Sequence, residues 1–327
     1  MKCRVPLFAL AIFVSASVFA EKTNVFFVHG ANVSESDART YDLLQDGALA
    51  DVRFHVCDEQ GAPVEGVEAT LCFQKTFTKA TVVTCKTDRE GLCSARELSI
   101  GDLRAYFKKN GYYETSLHPA FRQWDWRKVQ ETRKWSNGTV VIEVVLKKMR
   151  SPIRLGFRSC DFKPFPATNE VVKLDLEKLD WCPPYGKGKH ADVHLVFDGW
   201  RNPDDWDDYH EHLKVSFPNG EDGFYRLKAD PASAFKYAYS ADTNRVYSSA
   251  FEFRHIHTKD GIVESKRFPK DEYLVYRVRT RTNEVGQVVH AHYGRIGESF
   301  GQYFGLSMKC WFNPNDNDAN LEDAKSR

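Results

Sequence analysis

From Asp51 onward the chain alternates apolar and polar residues with a period of two, a pattern that sheet satisfies and helix does not. In "DVRFHVCDEQGAPVEGVEATLCF", Val52, Phe54 and Val56 share one face while Arg53, His55 and Cys57 share the other. Turn residues Gly61, Pro63 and Gly66 then lead into a second alternating run, Val67, Ala69, Leu71 and Phe73. "TVVTCKTDREGLCSARELS" reads as strand, turn, strand, and the β-branched "GTVVIEVVLKK" closes a unit spanning residues 51–150. Residues 151–327 repeat the pattern in "ADVHLVFDGW", "HLKVSFPNG", "YSSAFEFRHIH", "YLVYRVRTRT" and "VVHAHYG", with turns at "PNGEDG", "TKDG" and "TNEVG". No amphipathic segment of helical period and useful length interrupts them. The expected fold is all-β: two antiparallel β-sandwich domains in tandem, the second a sandwich or jelly roll, preceded by a strand and helix segment over residues 21–50.

The first twenty residues, "MKCRVPLFALAIFVSASVFA", place Lys2 and Arg4 before an apolar run and end in small residues, the plan of a secretory signal cut before Glu21. No later stretch approaches the ~18 apolar residues of a membrane span, so an exported protein that is not integral to the membrane is expected. The 46 basic and 45 acidic side chains nearly cancel, which disfavours nucleic acid and anionic membranes as partners. Past the signal lie Cys57, Cys72, Cys85, Cys93, Cys160, Cys182 and Cys310, without a CxxC spacing. In an oxidising compartment they predict one to three disulfides of undetermined connectivity and at least one thiol left over.

The residues Val56, Asp58, Gly61, Pro63, Val64, Gly66 and Val67, then Thr87, Asp88 and Gly91, then Gly111-Tyr112, resemble the carboxypeptidase regulatory-like (transthyretin-like) β-sandwich domain over residues 51–150. That resemblance implies an accessory sandwich that packs, spaces or presents other domains and brings no catalytic residues. The Trp-bearing insert "HPAFRQWDWRKVQETRKW" departs from the pattern, as a helical excursion or a binding loop. The tail "LSMKCWFNPNDNDANLE" is similar to endings of uncharacterised bacterial envelope proteins. Residues 24–39, "NVFFVHGANVSESDAR", resemble the first strand of an α/β-hydrolase, with His29-Gly30 at the oxyanion position.

A hydrolase would also need a nucleophile elbow, and Gly297-Glu298-Ser299-Phe300-Gly301 matches GxSxG. The match fails on chain order, because no histidine follows Ser299, and on context, because its flanks read as strands. At most a hydrolase remnant survives. Three His-x-His pairs, His210/His212, His255/His257 and His290/His292, put two imidazoles on one strand face each. If His255 and His257 converged with His290 and His292, they would hold a divalent metal and support a metal-dependent enzyme. If they scatter, they are polar residues on strand faces and no cofactor is needed. "NDNDANLED" has part of a calcium-loop spacing but lacks its sixth-position glycine and twelfth-position glutamate, and reads as a solvated turn.

Tryptophans cluster in two polar stretches: Trp124, Trp126 and Trp135 in the insert, and Trp200, Trp206 and Tyr209 in "DGWRNPDDWDDYHEH". Aromatic rings beside Asp and Asn equip a surface to stack on sugars and accept their hydroxyl protons. The expectation is an exported, non-catalytic binding or scaffolding module at the periplasm or outer envelope, contacting glycan or protein through Trp124, Trp126, Trp200, Trp206 and Tyr209.

Overall fold

The computed structural model describes residues 26–28, 31–33, 47–75, 78–119, 126–136, 138–266, 269, 271–297 and 305–325. The proposed signal, Trp124 and Ser299 lie outside the described residues. β1 (Phe26–Val28) pairs antiparallel with β2 (Ala31–Val33), Val28 facing Ala31, and His29 and Gly30 lie outside the described residues.

The first sandwich uses β3 (Ala48–Asp58), β4 (Glu68–Gln74), β5 (Ala80–Lys86), β6 (Leu92–Ser99), β7 (Leu103–Lys108), β8 (Thr115–Leu117) and β9 (Val140–Leu146), with a short helix, α1 (Trp126–Thr132), before β9. Its two sheets are ordered β6-β3-β9 and β5-β4-β7-β8. The alternating residues of β3, β4 and β7 meet between them: Val52, Phe54, Val56, Leu71, Phe73 and Phe107 are almost completely buried. Each such side chain contributes about 1.5–3 kcal/mol of burial. Pairing is antiparallel except for β3 with β9, which run parallel from Val52↔Val140 to Asp58↔Leu146.

The turn motif of this unit is a structural staple. Asp58 Oδ1 accepts from the amides of Gln60 and Ala62, and Asp88 Oδ1 from those of Glu90 and Leu92, two Asx turns. Thr87 Oγ1 donates to Val64 O at 2.6 Å and accepts from Val67 N at 2.9 Å, tying one turn to the other. Gly91 has φ +73°, and a Cβ there would collide with the Val56 carbonyl, so only glycine fits. Asp58 Oδ1, Asp88 Oδ1 and Thr87 Oγ1 are thus all engaged with the backbone. The insert docks on the same sandwich: Val129 and Trp135 are buried, and Trp135 Nε1 donates to Ser99 O at 2.6 Å.

The second sandwich comprises β10 (Gly156–Pro164), β11 (Val171–Asp175), β12 (Asp180–Trp181), β13 (Val193–Arg201), β14 (Tyr209–Ser216), β15 (Gly223–Lys228), β16 (Ala250–Thr258), β17 (Gly261–Lys266), β18 (Glu272–Thr282), β19 (Val288–Gly297) and β20 (Gly305–Phe312). A five-stranded sheet, β10-β20-β19-β18-β15, faces a six-stranded one, β12-β11-β13-β14-β16-β17. Leu195, Phe197, Leu213, Val215, Tyr276 and Phe312 belong to the core between them. At a bulge in β18, Arg279 takes a left-handed conformation (φ 59°), its guanidinium bonded to Asp192 and Glu177 at 2.9 Å each. Among the described residues no helix is long and apolar enough to cross a membrane.

A third cluster joins the sandwiches, with Tyr113 of the first packed on Phe235, ring centroids 4.9 Å apart. Ser116 N donates to Ala232 O and Ala234 N to Glu114 O, so a loop of the second unit extends the β8 edge of the first. Buried Glu322 accepts from Tyr113 Oη (2.8 Å), Arg150 N (2.9 Å) and Ser151 N (2.6 Å). The "NPNDNDANLE" tail therefore does more than turn in solvent. Asn313 Nδ2 donates to Asp318 O and Asn320 O, Asn320 Nδ2 reaches Ser151 O, and the tail folds into a clasp between the units.

The seven cysteines described are all thiols, where disulfides were expected. Most are spaced along strands and satisfied locally: Cys57, Cys160, Cys182 and Cys310 each donate to a backbone carbonyl.

Candidate functional site

The β13–β14 hairpin carries the expected contact residues. Leu213 and Val215 of β14 face the core, and the same period carries Glu211 and Tyr209 along that face beyond it. Register puts Arg201 opposite Tyr209, Tyr209 opposite His257, and Glu211 opposite His255. Inward-facing polar and aromatic side chains thus collect where the apolar core ends.

The connecting turn is built by its own side chains. Asn202 Oδ1 accepts from Asp204 N (3.0 Å), Asp205 Oδ1 from Asp207 N (3.0 Å), and Asn202 Nδ2 donates to Asp208 Oδ2 (3.1 Å). This commits Asn202, Asp205 and Asp208 to the turn and leaves the exposed Asp204 and Asp207 carboxylates beside Trp206.

Trp206 is 73% exposed, an unusual cost for so large an apolar ring. It is held rather than loose. The Arg201 guanidinium carbon lies 4.9 Å from the Trp206 ring centroid and 5.4 Å from that of Tyr209. Tyr209, itself buried, stacks on His257 at 5.6 Å with 8° between planes, and His255 lies 5.5 Å from the same tyrosine. His257 Nδ1 bonds to Asp207 O, which ties the hairpin to β16 and, since a carbonyl only accepts, puts the proton on Nδ1. The result is a ladder, Trp206–Arg201–Tyr209–His257, in which cation–π and stacking contacts fix an exposed indole.

The expected contact residues do not form one platform. Trp200, 52% exposed, is next to Arg201 on β13 and therefore lies on the opposite face, beside His210 in register. Tyr209 supports the ladder from below. In the insert, Trp126 opens α1 and Trp135 fills the core. Arg201 and Asp207, not among the expected residues, hold Trp206 in place. Their signal in the sequence was position alone, a cation at a strand end and a carbonyl one residue past the indole.

The histidine pairs stay apart. His255 and His257 lie on β16 of the six-stranded sheet, and His290 and His292 on β19 of the five-stranded one. His290 Nδ1 meets Asp316 Oδ1 at 2.6 Å, and His292 Nδ1 bonds to Asn313 O at 3.1 Å, both anchoring the tail clasp. Burial pushes the His292 imidazole below its usual range. Among the described residues, no three His, Cys, Asp or Glu side chains are grouped to hold a metal ion. The strands flanking Ser299, β19 and β20, are antiparallel neighbours, with Ile296 opposite Cys310, rather than the strand and helix of an elbow.

No family model matches the sequence, and no curated protein matches it. Among solved structures it is similar to 3-chlorocatechol 1,2-dioxygenase from Rhodococcus opacus, at 14% identity and a TM-score of 0.25, over 32% of this chain and 61% of that one. It is also similar to a DUF3823 family protein from Parabacteroides merdae, at 10% identity and a TM-score of 0.20, over 71% of this chain and 92% of that one. A putative carbohydrate binding protein from Bacteroides uniformis matches at 10% identity and a TM-score of 0.21, over 82% and 98% of the two chains. At these TM-scores the likenesses carry no functional argument, and the matched region spans under two thirds of the dioxygenase.

Proposed function

We propose that the chain is an exported, non-catalytic binding module of the cell envelope that contacts glycan through the tip of its second sandwich. The observation that carries this reading is the Trp206 indole, 73% exposed yet fixed by the Arg201–Tyr209–His257 ladder. A preordered exposed ring offers a sugar's C–H face a stacking surface without ordering cost. The adjacent Asp204 and Asp207 carboxylates accept hydroxyl protons. Export is supported by the charged, apolar and small-residue order of residues 1–20. The regulatory-like resemblance of residues 51–150 is supported by the Asp58, Thr87 and Gly91 staple, which suits a spacer that holds the second unit at a set angle. No cofactor enters this reading.

The test is co-sedimentation of the purified chain with insoluble bacterial cell-wall polysaccharide. Wild type pellets with the polymer, and Trp206→Ala stays in the supernatant while keeping the wild-type thermal midpoint. Equal pelleting of the two proteins, or failure of wild type to pellet with any envelope polysaccharide, removes the proposal.

A further inference from the structure

Among the seven described thiols, two behave differently from the rest. Cys57, Cys160, Cys182 and Cys310 each donate to a backbone carbonyl, and burial pushes all four thiols upward. Cys72 lies on β4 opposite Val82 and Arg104, one residue from the inward Leu71 and Phe73, and so faces away from the core. Cys85 and Cys93 instead face inward from β5 and β6 and pack with the same core. Their strands are edge strands of different sheets in the first sandwich, in contact across its open side. Cys85 and Cys93 are close enough for each thiol to shift the other.

We propose that Cys85 and Cys93 are a redox pair whose disulfide bolts the two sheets of the first sandwich together along the β5–β6 edge. The connection between them is fixed in place: Asp88 Oδ1 holds the Glu90 and Leu92 amides, and Thr87 is bonded to Val64 and Val67. The turn between the two cysteines is thus ordered by its own side chains. Hydrogen bonding from Cys93 lowers the Cys85 thiol, and Cys93 is raised by the same contact, so Cys85 is the attacking sulfur. With a low-molecular-weight disulfide such as oxidised glutathione as oxidant, Cys85 thiolate attacks one glutathione sulfur and expels a glutathione thiolate. Cys93 then loses its proton to solvent and attacks Cys85 Sγ, expelling the second thiolate. Two cysteine sulfurs are each oxidised by one electron, and the glutathione disulfide is reduced by two. Of the remaining described thiols, four are engaged with backbone carbonyls and Cys72 faces away from the core.

The experiment equilibrates the full chain across a graded reduced/oxidised glutathione series, alkylates free thiols and maps tryptic peptides without reduction. The expected product is ATVVTCK (residues 80–86) joined to EGLCSAR (residues 90–96), growing with oxidant while Cys57, Cys72, Cys160, Cys182 and Cys310 remain alkylated. The oxidised protein melts several degrees above the reduced one, since cross-linking a closed loop restricts the unfolded chain. In Cys85→Ser and Cys93→Ser, neither the linked peptide nor the redox-dependent melting shift is expected. Absence of the linked peptide throughout the series overturns the proposal. So does linkage of Cys85 to another cysteine, or a bond that lowers the melting midpoint. The peptide map needs only wild type, so the outcome stands even if a serine variant fails to fold.

Discussion

Replacing Glu322 by alanine probes the clasp between the sandwiches. The carboxylate is 1% exposed and accepts three hydrogen bonds, from Tyr113 Oη, Arg150 N and Ser151 N. Arg150 and Ser151 lie at an exposed linker, so water can replace the carboxylate for both amides. Tyr113 is also 1% exposed, and its hydroxyl would be stranded in the interface. A charge-assisted hydrogen bond is worth about 1.5–3 kcal/mol, and a buried orphaned donor costs about 1–3 kcal/mol. Full loss at Tyr113 and partial loss at the two amides gives roughly 3 kcal/mol for Glu322→Ala. At roughly 2–4 °C per kcal/mol for a domain of 150–250 residues, calorimetry should record a drop of about 6–12 °C. It should also resolve two transitions where wild type melts as one, because the clasp couples the units. Tyr113→Phe removes the stranded hydroxyl, so the Glu322→Ala and Tyr113→Phe effects should be non-additive by about 1–2 kcal/mol. A Glu322→Ala protein within about 0.5 kcal/mol of wild type, the scatter of a neutral surface change, would refute this reasoning.

Arg295 is fully buried, bonded to Leu321 O and placed 4.1 and 4.5 Å from the Tyr237 and Trp311 ring centroids. Burial pulls its guanidinium down to about 10, so the site disfavours the charge despite the rings. Arg295→Met is expected to leave stability within about 1 kcal/mol of wild type by urea unfolding, and a loss above about 3 kcal/mol contradicts that. The Arg279 guanidinium holds Glu177 down to about 2. The unfolded chain therefore takes up this proton first, and stability present at neutral pH is lost as pH falls from about 4.5 to about 2. Glu177→Gln should flatten that limb of a melting-point-against-pH curve, and an unchanged limb would show that the pair does not contribute. Glycan binding should persist in excess chelator, because the Trp206 ladder uses no metal. A chelator-sensitive interaction would point back to the histidines.

The period of two made the sheets legible, because inward and outward alternation is a local property visible over a few residues. The turn motif was legible for the same reason: Asp58 and Asp88 cap amides two and four residues ahead. Pairings between distant segments were not. The parallel β3–β9 contact joins the two ends of a unit, and no local pattern encodes it. The His-x-His rule puts each pair on one strand face, but which sheet that strand joins is a matter of topology. It separates His255 and His257 from His290 and His292. Trp135 and Trp206 have equally polar neighbours in sequence, yet one fills the core and the other projects. The tail's Asn and Asp residues look solvent-facing until their amides are seen to bond to one another and to Ser151.

Isothermal calorimetry of wild type and Trp206→Ala against soluble envelope oligosaccharides, both in chelator, tests the binding reading most directly. The account predicts a saturable heat for wild type and at least a tenfold weaker interaction for the variant, about 1.4 kcal/mol. Wild-type and variant titrations that superimpose would contradict it.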